Sequence, residues 1–238
     1  MADDTLGEFF GGSPDKSPGE SLDVTLAGEA LVLLAGRALY WPRRRRLLIA
    51  DLHLGKDAAF RRAGIALPDG GTMDDLDRLA GLASRCGAAE LWVLGDLLHG
   101  PPDGSAWRAA WAHFRNAHPA LDIVLVQGNH DRAIARAGLA ITTLADPVDD
   151  PPFLLGHAPT PDDLPDRFGI CGHVHPVVRV PGLPGRFPAF VIERRRLILP
   201  AFSAFTGGWQ VDEAAWCYAC IAGELLALGP VRRRGRRR

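Results

Sequence analysis

Residues 47–55 read LLIADLHLG. An apolar run of strand-forming residues ends there in two metal-ligand types, Asp51 and His53, with Leu52 between them. Alternate residues of a strand share one face, so side chains two apart aim at one point. The stretch therefore predicts the start of a metal site at a strand end.

The same arrangement recurs down the chain. Residues 91–96 read LWVLGD, 123–131 IVLVQGNHD, 153–157 FLLGH and 168–175 FGICGHVH. Each is a short apolar run, then glycine, then Asp, Asn or His. Candidate donors thus accumulate at five strand ends: Asp51, His53, Asp96, Asn129, His130, His157, His173 and His175.

Around these ends the periodicity changes once. Short apolar runs separated by glycine over residues 22–41 predict antiparallel strands, and strands then alternate with helices to about residue 140. Helices are expected after Gly55, closed by Gly64; from a capping box of Thr72 and Asp75 to Cys86, stopped by Gly87; and from a Ser105 cap to about Ala117. Beyond residue 140 the runs PPFLLG, DRFGICG, FPAFVIE, RLILP and AAWCYACIAGELLAL read as strands without helices, mostly antiparallel. An α/β architecture, a two-sheet β-sandwich flanked by helices (αββα), accommodates both halves.

At 238 residues and 47% hydrophobic, the chain can bury a core as one domain, expected over 21–230. Residues 1–20, mixed Gly, Ser, Pro and charge without periodicity, are expected to be disordered. The acidic N-terminus lacks the order of a signal peptide, and no apolar run approaches the roughly 20 residues that span a bilayer. The expectation is a cytoplasmic protein with no membrane partner. Six arginines sit in the last seven residues, RRRGRRR; without them the net charge of −1 becomes −7 on residues 1–231. This basic tail, 231–238, either binds a phosphate-rich polymer or is a solvated end. The turn at 43–46, RRRR, reads as a solvated loop away from the site rather than a phosphate contact. The four cysteines do not make a disulfide framework in a chain of this size. Cys217 and Cys220 form a CxxC, but three apart in a strand they face opposite sides, and no second Cys or His pair lies near to complete a zinc site.

Asp, Asn and His offer hard oxygen and imidazole nitrogen without thiolate. That set suits manganese, iron, zinc or magnesium rather than copper(I) or an iron–sulfur cluster. The donors exceed one tetrahedral site, so two divalent ions are expected, held about 3.5 to 4 Å apart by a shared carboxylate. The reaction best matched is hydrolysis of a phosphoester by in-line attack of hydroxide, with a non-ligand histidine protonating the leaving oxygen. Lys56, Arg61 and Arg62 follow the first donor pair closely; they are either substrate-phosphate contacts or the ordinary charges of a surface helix.

In this order, DLH at 51–53, GD at 95–96, GNHD at 128–131, GH at 156–157 and GHVH at 172–175 resemble the calcineurin-like metallophosphoesterase superfamily. Any one of these motifs means little, but their joint occurrence over residues 51–175 is specific. The resemblance implies that Asp51, His53 and His175 hold one metal, that Asn129, His157 and His173 hold the other, that Asp96 bridges, and that His130 is the proton donor. One departure stands out. Members often read GD-x-x-D, whereas GDLLH puts His99 in the place of the second acid, where it contacts substrate or supports His130.

A finer resemblance is carried by ALYWP at 38–42, ADLHLGK at 50–56, FRRAGIALP at 60–68 and GDLLH at 95–99, which are similar to the bacterial DNA-ligase-associated metallophosphoesterases. Membership implies a manganese-dependent phosphodiesterase or endonuclease linked to DNA repair and encoded beside a DNA ligase, an exonuclease and a helicase. Two rivals stay open: a phosphohydrolase of a small nucleotide or sugar-nucleotide, and a protein-binding scaffold keeping the metal site as a relic. The acidic body and the lack of a separate nucleic-acid module argue against strong electrostatic DNA binding, which only the arginine tail offsets, so the sequence decides less between DNA and the first rival. The intact donor set and His130 count against the second.

Overall fold

The computed structural model describes residues 19–65, 70–99, 105–159, 166–193, 195–211 and 215–230. Nearly all of the two expected tails lies outside them. Residues 19 and 20 belong to the folded body: Gly19 bridges to Leu225, and the Glu20 carbonyl accepts the Ala35 amide at 2.9 Å.

One sheet runs in chain order through β1 (Ser21–Leu26), β2 (Glu29–Leu34), β3 (Ala38–Trp41), β4 (Arg46–Ile49), β5 (Glu90–Leu94), β6 (Asp122–Val126) and β7 (Thr142–Leu144). The first four strands are antiparallel neighbours, and β4 to β7 are parallel. Parallel neighbours need crossover connections. These carry α1 (Lys56–Arg62), α2 (Gly71–Cys86), α3 (Ser105–Ala117) and α4 (Ile134–Ala137). Helix α2 stops at Gly87 in the left-handed region, φ 58°, as its sequence predicts. Its start differs from the predicted capping box. The N-cap is Gly70, Thr72 Oγ1 donates instead to Asp57 at 3.0 Å, and Asp75 is buried against Arg78 and the Ala204 amide. Tertiary partners have claimed both capping side chains.

The second sheet comprises β8 (Val148–Asp150), β9 (Phe153–Gly156), β10 (Phe168–Cys171), β11 (Pro176–Val178), β12 (Phe187–Glu193), β13 (Arg196–Ile198) and β14 (Trp209–Gln210), in the order β14-β11-β12-β13-β10-β9-β8. The hairpin β15 (Trp216–Ile221) and β16 (Glu224–Pro230) joins it through β12. The flanks are largely antiparallel, but the centre, β9–β10–β13, is parallel. Strands this short carry no mark of direction in their sequence.

Period-two alternation divides the core. In β4 and β5, Leu47, Ile49, Leu91 and Val93 face a cluster with the helix residues Leu76, Leu79, Trp107, Trp111 and Phe114. The intervening Leu48, Trp92 and Leu94 face the other sheet, where they meet Phe153, Phe168, Phe190 and Tyr218. Trp41 packs edge-on to Phe153 across that interface, with centroids 4.9 Å apart. Truncating a ring packed this way typically costs about 3–5 kcal/mol. Cys217 and Cys220 fall into different clusters and remain free thiols, so the CxxC is a strand with two faces.

The arginine turn divides in the same way. Arg43 and Arg44 sit in an exposed 3-10 turn, but Arg46 is buried, contrary to the expected solvated loop. Its guanidinium bonds Glu90 at 2.8 Å and Asp150 of the second sheet at 2.5 Å, and lies 3.9 Å above the Trp92 ring. Two carboxylates and an indole face offset its desolvation. Among the described residues, no helix is long and apolar enough to cross a membrane.

Candidate metal centre

The donors gather where the carboxyl ends of β4, β5, β6, β9 and β10 meet. Asp51, His53 and His175 each offer a ligand atom, all within 4.8 Å of one another, and so do Asp96, His157 and His173. Asp96 stands between the groups: Oδ2 is 3.9 Å from His53 Nε2, and Oδ1 is 3.6 Å from His157 Nε2. Asn129 Oδ1 and His173 Nδ1 each lie 2.9 Å from His157 Nε2. All seven predicted donors thus come together. Each group takes ligands from both sheets.

The convergence has a different origin from the predicted strand pleat. β4 ends at Ile49, and Asp51 and His53 both lie in the left-handed region, φ 57° and 49°. Asp96, His173 and His175 do too, with φ 53°, 68° and 50°. Such backbone is uncommon for residues with a Cβ, and it clusters where function requires it. Two motif glycines serve close approach. A Cβ on Gly95 would stand 2.1 Å from His157 Nδ1, and one on Gly128 would stand 2.4 Å from Asp96 Oδ1.

A second layer orients the ligands. His157 Nδ1 meets the Leu94 carbonyl at 3.2 Å, and His175 Nδ1 meets the Gly207 carbonyl at 3.2 Å. A carbonyl only accepts, so with an ion at Nε2 each contact would keep the proton on Nδ1 and orient the ring. Asp51 Oδ2 accepts the His173 amide at 2.9 Å, and Asp96 Oδ1 accepts the His130 amide at 3.0 Å. Beneath them Asp131 is fully buried and accepts three amides, those of Asp96, Gly128 and Leu98. Burial pushes its pKa up, against amides that favour the anion. Asp131 was visible in the sequence only as the end of GNHD. Nothing in the spacing marks it as the anchor of a loop 35 residues away.

Asp51 Oδ1 and both ring nitrogens of His53 are buried without a hydrogen-bond partner. Each unpaired buried polar atom costs about 1–3 kcal/mol. Burial, reinforced by Lys56, pushes the His53 pKa down to about 2, which keeps its imidazole neutral and able to ligate. An orphaned carboxylate oxygen beside a neutral imidazole nitrogen fits a divalent cation.

His130 is not among the grouped ligand atoms. It is exposed and stacks on His99, with centroids 5.6 Å apart and planes 29° apart, and both rings lie edge-on to His53. Burial holds the His99 pKa down, helped by Lys56 and His130. Lys56, the first residue of α1, is half-buried; burial lowers its pKa against the pull of Asp51 and Asp96. Lys56 is therefore brought to the site. Arg61 is bonded back to Asp57 at 3.0 Å, and Arg62 is exposed on the last turn of α1.

The model of the family "Calcineurin-like phosphoesterase" matches residues 44–158, which include the donors from Asp51 to His157. Among curated proteins, none matches the chain. Several solved structures resemble it, among them YfcE and nuclease MPE. YfcE, a phosphoesterase from E. coli, is 18% identical over 79% of this chain and 99% of that one, with a TM-score of 0.44. Nuclease MPE of Pseudomonas putida is 37% identical, with a TM-score of 0.74, and the likeness covers 87% of this chain and all of that one. Sequence identity at that level over a whole relative, joined to the family match and to two groups of donors that could each hold an ion, makes this chain a metal-dependent hydrolase of the calcineurin-like phosphoesterase family.

Proposed function

We propose that the chain is a manganese-dependent phosphodiesterase that cuts DNA, working in the cytoplasm in DNA repair beside a DNA ligase, an exonuclease and a helicase. The observation that carries it is the likeness, over that protein's entire length, to a nuclease. Asp51, His53 and His175 would hold one ion, and Asn129, His157 and His173 the other, with Asp96 shared. Ions held there would supply positive charge to the phosphate oxygens and lower the pKa of a water.

The chain's own residues do the rest. His130 protonates the leaving oxygen; it is exposed to substrate, and its amide is pinned by the shared carboxylate of Asp96. His99 fixes the His130 ring by stacking on it, and Lys56 adds a cation at the edge of the donor groups. The arginine tail lies outside the described residues; as a DNA contact it would offset the −7 of the body.

That acidity is also what favours a small nucleotide as the alternative substrate. Metal-stripped protein, reloaded with manganese, magnesium, zinc or iron, should be assayed on bis-p-nitrophenyl phosphate, nicked DNA and nucleotides. Manganese-dependent cutting of the diester and the DNA is expected. Turnover of nucleotides with DNA left intact would replace the proposal with the alternative.

A further inference from the structure

A cavity of about 280 Å³ opens beside His175, lined among others by Arg37, Arg186, Ser203 and Thr206. Among the described residues, no carboxylate lines it. Arg37 stands in the β2–β3 turn and reaches across the sandwich, its Nη1 donating to the carbonyls of Phe202 and Ser203 at 3.4 and 3.2 Å. From the other rim, exposed Arg186 donates to the Gly208 carbonyl at 3.3 Å. Carbonyl anchors position a guanidinium without cancelling its charge. The carboxylate acting on Arg37 is Asp75, and Asp75 is already engaged by Arg78 at 2.7 Å and by the Ala204 amide at 3.2 Å. Among the described residues, two arginines therefore share one acid, and positive charge is left over at the cavity wall.

That wall and the metal centre are one piece. The Ser203 amide donates to the Asp51 carbonyl at 3.2 Å, and the Gly207 carbonyl holds His175 Nδ1. An anion in the cavity would thus be held at a fixed offset from the donor groups. The volume is just below the roughly 300–1,000 Å³ of pockets that enclose whole small ligands, which suits a charged group rather than a complete nucleotide. Guanidinium forks match phosphate oxygens in geometry as well as charge. One residue beyond Gly208, the indole of Trp209 is 73% exposed, a surface on which the base attached to such a phosphate can stack.

We propose that this cavity is a second phosphate subsite, formed by Arg37 and Arg186, that takes the phosphate neighbouring the scissile one on the same strand. It rests on the polynucleotide substrate proposed above. The test uses the full-length manganese enzyme and single oligonucleotides in which the phosphate on one or the other side of the cut is an uncharged methylphosphonate. One of the two replacements should raise the wild-type KM roughly tenfold, the scale of a lost hydrogen bond to a charged group. Arg186→Gln should show a similar loss on the fully charged oligonucleotide and no further loss on the neutralised one. Arg37→Gln should behave alike, with thermal melting confirming its fold; if it fails to fold, the exposed Arg186 decides alone. An oligonucleotide that is cut normally, with wild type and Arg186→Gln equally sensitive to neutralisation, would overturn the subsite and leave the phosphodiesterase standing. A wild type that hydrolyses bis-p-nitrophenyl phosphate but cuts no oligonucleotide would remove both the subsite and the polynucleotide substrate.

Discussion

The carboxylate of Asp131 accepts a hydrogen bond from the amide of Asp96 at 2.8 Å. The residue that stands between the two donor groups is thus held by a buried acid that is not one of the grouped ligands. Asp131→Ala strands the amides of Gly128, Leu98 and Asp96 in a buried site. We expect a loss of about 3 kcal/mol or more in unfolding free energy, and metal content that falls with it. Asp131→Asn keeps one acceptor oxygen and should lie between. Urea denaturation with elemental analysis checks both; an Ala variant of native stability and full metal content would refute the anchoring role.

His130→Ala should leave metal content near the wild-type level and slow hydrolysis about 10²- to 10⁴-fold on a substrate with a poor leaving group. The defect should shrink with p-nitrophenolate, which departs without protonation. Parallel losses across a series of leaving groups would remove His130 from the proton-donor role.

Metal loading should stiffen the whole sandwich, because each donor group draws residues from both sheets. At a hundredfold excess over its dissociation constant, an ion contributes about 2.7 kcal/mol. For a domain of this size that is roughly 5–10 °C in Tm. Calorimetry of stripped and manganese-loaded protein measures the shift. Asp96→Ala, which removes the carboxylate standing between the groups, should abolish the response and lose both ions, whereas His175→Ala should keep one. Asp96→Ala with two ions per chain would contradict the shared position.

Acid should weaken the metal-free protein through His53. Its folded pKa of about 2 lies below the ordinary 6.5, so below pH 6.5 the unfolded chain binds a proton that the fold refuses. Stability from this group is therefore fully present above 6.5 and falls as the pH drops, by up to about 1.4 kcal/mol per unit. Burial raises the pKa values of Asp75 and Asp131, which act with opposite sign, so the difference between wild type and His53→Gln isolates the histidine. Between pH 7 and 5, in chelator, the variant should lose less stability than wild type. Equal slopes would mean that His53 is protonated in the fold.

The metal centre was the most legible part of the chain. A buried strand needs an apolar run, a close approach needs glycine, and a ligand needs Asp, Asn or His, so FLLGH or LWVLGD states its own place at the end of a strand. What escaped the sequence depends on partners far along the chain. Arg46 looks like its neighbours Arg43 and Arg44 until Asp150 and Glu90 are placed around it. Thr72 and Asp75 match a capping box, yet Asp57 and Ala204 outbid the helix terminus for them. The loop from Ala201 to Gly208, which orients His175 and closes the arginine cavity, carries no donor motif of its own.

The left-handed backbone at Asp51, His53, Asp96, His173 and His175 bears on the history of the site. A residue with a Cβ gives up about 1 kcal/mol or more in that conformation, and glycine would relieve it. A lineage that had surrendered its ions and kept the fold as a platform for other proteins would be free to drift toward glycine at these positions. Five donor-bearing residues held in a conformation that glycine would relieve are what a requirement for those side chains predicts.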